Sequence, residues 1–266
     1  MSGARRILAI TALVIAGESV FLLPFVLPRV FRPTLLDVFD LTNLELGTAL
    51  AVYGVVAMAA YFFGGPLADR FPARNLLAVA LASTAAGGLV MMTVPSHSSL
   101  VLLYAYWGLT TIALMWAPMI RATRQWGGET EQGRAFGLLD GGRGLLAASM
   151  GSVMVLLFAG VLPEDASTAN ITERTEALRR VILAMSGITL AAAVLVMLAL
   201  PYSDPSDGGS HQALSMDGVR RAAAMPSVWL QAAIILCAYV GFKAIDDFSL
   251  YANQVVGLDE VDAAQA

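Results

Sequence analysis

The run NLLAVALASTAAGGLVMMTVPSHSSLVLLYAYWGLTTIALMWAPMI, from Asn75 to Ile120, holds no Asp, Glu, Lys or Arg over 46 residues. A bilayer core about 30 Å thick takes roughly 20 apolar residues per helix. The run is therefore twice as long as one crossing, and Pro95-Ser96-His97-Ser98-Ser99 near its middle divides it into two helices joined by a short turn. Working outward, Leu46 to Ala68, Gly144 to Pro163, Val181 to Ser203 and Ala222 to Phe242 are further uncharged stretches of membrane length. Each is bounded by charge or by Pro and Gly. Ile7 to Leu27 is apolar except for Glu18. The count is seven spans, an all-α polytopic membrane protein.

Composition supports this reading. Of 266 residues 58% are apolar and 14% charged, too few polar groups to cover a soluble core. A net charge of -4 offers no basic face for nucleic acid. One cysteine, Cys237, and two histidines, His97 and His211, predict neither a disulfide nor a metal site, and no cofactor is expected. No nucleophile set or phosphate-binding glycine loop points to an enzyme.

Arg5-Arg6 stand before an apolar run that is long for a secretory signal and is followed by six more, so a retained first helix is expected. With the N-terminus inside, the inner segments carry nine arginines (Arg5, Arg6, Arg70, Arg74, Arg121, Arg124, Arg134, Arg220, Arg221). The outer ones carry five (Arg29, Arg32, Arg174, Arg179, Arg180). The positive-inside rule therefore predicts a cytoplasmic N-terminus, in a cell (inner) membrane. Asn170-Ile171-Thr172 also fits a glycosylation sequon on the outer side.

Between helices two and three stands Gly65-Pro66-Leu67-Ala68-Asp69-Arg70-Phe71-Pro72-Ala73-Arg74. This resembles the loop signature of the major facilitator superfamily, Gly-x-Leu-Ala-Asp-Arg-x-Gly-Arg-Lys, at the place where that family carries it. Pro72 and Ala73 depart from it, standing where Gly and Arg are usual. Gly65 is expected to permit close helix approach, and Asp69 to complement the dipole at the start of helix three. Arg70 and Arg74 are expected to hold the loop at the inner surface. The resemblance implies that Asp69 acts as a conformational latch between two halves of the molecule. Trp116-Ala117-Pro118-Met119-Ile120-Arg121 and Gly133 to Gly144 are similar to the corresponding region in branches that move sugar phosphates, hexuronates and other organic anions.

Four groups of residues are candidates for the solute path. Glu18 lies close to mid-membrane as a lone carboxylate, where such groups are costly and usually functional; a carboxylate kept from water suits proton coupling. Asp140 and Arg143 are three apart, on one helical face, one to two turns inside helix five, and serve either as a neutralised pair that locks the inner ends of helices together or as an inner gate or anion contact through Arg143. Lys243 can pair with Asp246 or Asp247 near the outer end of helix seven, as a salt bridge, outer gate or substrate contact. Trp116, beside Pro118, is expected to line the path.

The resemblance implies twelve helices in two six-helix bundles with solute held between them. Residues 1–200 would be the first bundle, 201–225 a cytoplasmic linker, and 226–266 the first helix of an incomplete second bundle. Missing C-terminal helices would then be partners, with the lipid bilayer, a small-molecule solute and a proton or other coupling ion. The function expected is secondary active transport of a small organic solute, an anionic sugar or carboxylate, by symport. By itself the chain is expected not to transport. The alternative is a non-transporting seven-helix membrane protein or inactive remnant.

Overall fold

A computed structural model describes residues 3–163, 168–202 and 216–265. Among them the chain is helical, without strands. Seven spans are long and apolar enough to cross a membrane: Gly3–Val30, Asn43–Arg70, Ala73–Met91, His97–Gly127, Gln132–Ala159, Ile171–Ala199 and Pro226–Val256. They are called helices one to seven below.

Local chemistry sets their interruptions. In helix one, Pro24 has no N–H to give to the ladder, and the chain passes it in a π turn, Leu22–Val26. There Phe25 and Val26 both donate to the Phe21 carbonyl. Helix four is two pieces, His97–Ala113 and Trp116–Gly127. Pro118 lacks the amide that would bond the Leu114 carbonyl, and the ladder breaks there. Helix two starts with a capping box between Thr42 and Glu45, and helix six with one between Asn170 and Glu173. The Asn170 side chain of the sequon is thus a helix cap.

Helix two packs most extensively against helix four, and helix three against helix six; helix one lies between helices five and six. Small residues permit the approach. A Cβ on Gly108 would lie 2.7 Å from the Tyr53 carbonyl oxygen. Hydroxyls bridge the helices where lipid offers no partner: Tyr53 and Thr111 are 2.6 Å apart, Thr84 and Thr110 3.1 Å.

The two ends of the bundle are chemically distinct. At the N-terminal end Arg6 pairs with Glu131, its guanidinium lies 4.5 Å from the Trp126 ring, and the Trp126 indole donates to the Arg6 carbonyl. At the far end the residues after Lys243 turn back onto helix one and Arg32–Phe39. From Pro226 to Phe242 helix seven buries no side chain against the bundle.

Several expected boundaries move. Helix five begins at Gln132 rather than Gly144, because Arg134, Asp140 and Arg143 are carried inside it. Helix seven continues past Phe242 to Val256 through a tighter turn, Ala244–Asp247. Of the linker expected over 201–225, residues 203–215 lie outside the described residues, and Met216–Ala223 is helical.

Gly108→Ala is expected to cost about 1–3 kcal/mol by overpacking against backbone. Gly144→Ala, whose methyl would meet nothing within 4 Å, is expected to be neutral or slightly stabilising. Unfolding titrations in mixed micelles measure both. The Arg6 guanidinium, bonded to Glu131, holds that carboxyl below its ordinary 4.5. Their contact is then present above pH 4.5 and is lost as the pH falls through the lowered value. Trp126 fluorescence, titrated with acid, is expected to change with a midpoint below 4.5, and not to change in Glu131→Gln.

Candidate functional site

Glu18 and Arg143 come from different helices and meet in the middle of the bundle. Arg143 lies eleven residues, about 17 Å, into helix five, and Glu18 is next to the end of the first segment of helix one, Gly3–Ser19. The Arg143 Nε stands 3.6 Å from Glu18 Oε2, and its Nη1 stands 3.5 Å from Asp140 Oδ1. The Glu18 and Arg143 side chains are mostly enclosed, whereas Asp140 is 69% exposed. The guanidinium carbon lies 5.7 Å from the centre of the Phe21 ring and 5.8 Å from that of Trp116, within cation–π range.

The backbone makes room for this cation. A Cβ on Gly17 would sit 2.9 Å from Arg143 Cδ, and one on Gly142 2.8 Å from a Val14 methyl. Without both glycines helices one and five would stand farther apart. Behind Glu18 a cavity of about 230 Å³ opens, lined by Ile15, Ser19, Leu22, Leu146, Met150 and Ile188.

The expectation that Glu18 is lone is corrected: its partner is Arg143 on helix five, which packs beside helix one. The pairing is loose. At 3.6 Å the Nε–Oε2 contact exceeds hydrogen-bond length, and Arg143 Nε has no hydrogen-bond partner among the described residues. An enclosed donor of this kind retains capacity for an anionic oxygen. Asp140 and Arg143 lie deeper than the one to two turns expected, and the Trp116 ring stands beside the Arg143 guanidinium.

Lys243 is not part of this cluster. It pairs with Asp246, and its ammonium stands 5.2 Å from the centre of the Phe25 ring. Asp246 also accepts from Arg29 Nε at 2.7 Å, while Asp247 lies 3.1 Å from Arg32 Nε. Sequence reasoning counted Arg29 and Arg32 only as loop charges. In the structure they stand on either side of the break at Phe31, one in Leu27–Val30 and the other opening Arg32–Phe39, and packing brings both to Asp246 and Asp247.

The signature between helices two and three also differs from expectation. Helix two runs through Pro66 to Arg70, and only Phe71 and Pro72 separate it from helix three. Asp69 therefore occupies the last turn of helix two, not the start of helix three, at an end whose dipole favours Arg70 over a carboxylate. Close approach falls to Gly64, whose Cβ would lie 3.3 Å from the Ala113 carbonyl oxygen, whereas Gly65 faces open space. Arg121 donates to the Ala68 carbonyl at 2.5 Å, and Arg74 lies 5.4 Å from the Tyr202 ring centre.

The chain is thus a polytopic helical membrane protein with an arginine–carboxylate pair enclosed in its bundle. The profile of the Major Facilitator Superfamily matches residues 5–266, and the chain belongs to that family. It is an integral membrane protein. It is similar to Inner membrane protein YqcE of Escherichia coli (strain K12), 20% identical over 263 residues, 98% of this chain and 60% of that protein. It is also similar to Inner membrane protein YihN of the same organism, 25% identical over 231 residues, 85% of this chain and 51% of that protein. The chain spans about half the length of the curated relatives it matches. No solved structure matches it.

Removing one member of an enclosed ion pair leaves the other uncompensated. Arg143→Gln alone is expected to destabilise the bundle by about 2–4 kcal/mol, and the double variant with Glu18→Gln by less. A double-mutant cycle in micelles measures the coupling; additive effects would mean that the two side chains do not interact.

Proposed function

We propose that this chain belongs to a secondary active transporter that moves a small organic anion, a carboxylate or anionic sugar, by alternating access with proton coupling. The Glu18–Arg143 pair carries the reading. Arg143, held between the Phe21 and Trp116 rings, receives the anionic group. Glu18 balances the same cation when the anion is absent and takes up a proton when it arrives, which is symport. Asp140, exposed beside them, faces the second bundle. Residues 1–200 form the first bundle, 201–225 the connecting segment and 226–266 the first helix of the second; the relatives it matches are longer than this chain. The N-terminus is cytoplasmic and the membrane is the inner membrane, as the relatives' names and the arginine distribution suggest. Gly65, Asp69, Arg70 and Arg74 form the latch between bundles at the inner face.

Binding to the purified chain tests this. Titration with small carboxylates and sugar acids is expected to quench Trp116 fluorescence saturably, the signal being assigned by Trp116→Phe, with proton uptake seen by a pH indicator. Arg143→Gln should weaken binding at least tenfold. Glu18→Gln should retain binding and lose the proton uptake. Anion binding unaffected by Arg143→Gln, or binding by the unaltered chain without proton uptake, overturns the proposal.

A further inference from the structure

A second cavity, of about 200 Å³, opens at the N-terminal end of the bundle and shares no lining residue with the one behind Glu18. Helices one, three and four and the end of helix six surround it. Its depth is apolar, with Ala9 and Leu13 of helix one beside Ala122 of helix four. Leu13 lies seven residues past Arg6, about 10 Å along the helix axis, so the cavity reaches below the polar layer at this end. Polar groups stand at its mouth, where Arg74 opens helix three and Gln125 and Trp126 end helix four.

Arg74 is the cation of this cavity. Its Nε is shut off from solvent and has no hydrogen-bond partner among the described residues, and its guanidinium carbon lies 5.4 Å from the centre of the Tyr202 ring. Three other arginines at this end are already spent: Arg6 and Arg134 on Glu131, and Arg121 on the Ala68 carbonyl. An enclosed guanidinium donor without an acceptor is costly, and such groups take up a partner. Arg74 also lies in the first turn of helix three, whose start no side chain caps. The first amides of a helix have no carbonyl to bond within it, and its dipole is positive there, so the backbone adds to the attraction for an anion. The fork of guanidinium N–H groups matches two oxygens of a phosphate or a carboxylate.

We propose that this cavity is a binding site for an amphipathic anion, a phosphate or carboxylate head with a short apolar chain. Arg74 holds the head at the mouth, and the chain lies along Ala9, Leu13 and Ala122. The apolar depth decides against a bare inorganic ion, which gains nothing from that surface, whereas each methylene of a chain gains by leaving water. A phospholipid of the adjoining leaflet and a soluble acyl anion present the same chemistry. Trp126, whose indole is fixed on the Arg6 carbonyl, forms a wall of the site and reports its occupancy. A ligand here touches helices one, three and four at once, and through Arg74 it holds one residue of the loop signature from within the first bundle. The site is separate from Glu18 and Arg143 and does not rest on the transporter reading.

Titration of the purified 266-residue chain in phosphatidylcholine nanodiscs with hexyl phosphate tests this. Trp126 fluorescence is expected to change saturably, the signal being assigned by its loss in Trp126→Phe. Arg74→Gln should weaken binding at least tenfold without lowering the unfolding temperature, because the Arg74 Nε gives up no bond. Ala122→Leu, which fills the floor and leaves Arg74 in place, should block hexyl phosphate, with the unfolding temperature as its control for folding. Inorganic phosphate and hexanol should each bind at least tenfold more weakly than hexyl phosphate, since each offers one half of the ligand. Replacing part of the phosphatidylcholine by phosphatidylglycerol separates the two sources. Competition with hexyl phosphate supports the site with a leaflet lipid as occupant, and undiminished binding supports it with a soluble anion. The response should persist in Arg143→Gln, so that failure here and failure of the solute site are distinguishable. No saturable response to hexyl phosphate, a response unaltered by Arg74→Gln, or equal binding of inorganic phosphate overturns the proposal.

Discussion

Hydrocarbon offers no hydrogen bond, and nearly every feature of this chain answers that constraint. Backbone amides within the membrane are satisfied along their own helices. Where proline withholds one, as at Pro24 and Pro118, the chain answers with a π turn or a break between two helical segments. Hydroxyls within the bundle are spent on one another or on backbone, as in Tyr53 with Thr111 and Thr84 with Thr110. A full charge is the extreme case, and Arg143 finds Glu18, Asp140 and two aromatic faces within reach.

That cluster depends on small residues that carry no charge themselves. Gly17 and Gly142 set the distance between helices one and five, and this distance places the guanidinium between Phe21 and Trp116. The break in helix four falls at the same place, since Trp116, which opens its second segment, has its ring 5.8 Å from the Arg143 guanidinium carbon. Backbone irregularity and charge are therefore concentrated at one depth.

The two ends of the bundle divide the remaining polar work. At the N-terminal end Arg6, Trp126 and Glu131 hold helix one to the loop between helices four and five. At the far end Asp246 and Asp247 sit on arginines of helix one and its extension. Glu18 and Arg143 lie between these two polar layers, and helix one contributes to all three.

The number of spans, their approximate places and the membership in a transporter family were legible in the chain, because the hydrophobic requirement of a bilayer acts on each segment separately and the loop signature is local. Glu18 and Arg143 could each be singled out for the cost of a charge among apolar neighbours, and Trp116 for its place beside Pro118. That Glu18 and Arg143 are a pair could not, since 125 positions separate them and helical periodicity carries no information about which helix lies beside which. The same reason hid Arg29 and Arg32 among loop charges and assigned close packing to Gly65 rather than Gly64. Partition between oil and water is a property of a stretch of sequence; the partner of a charge is a property of packing, and only the folded bundle decides it.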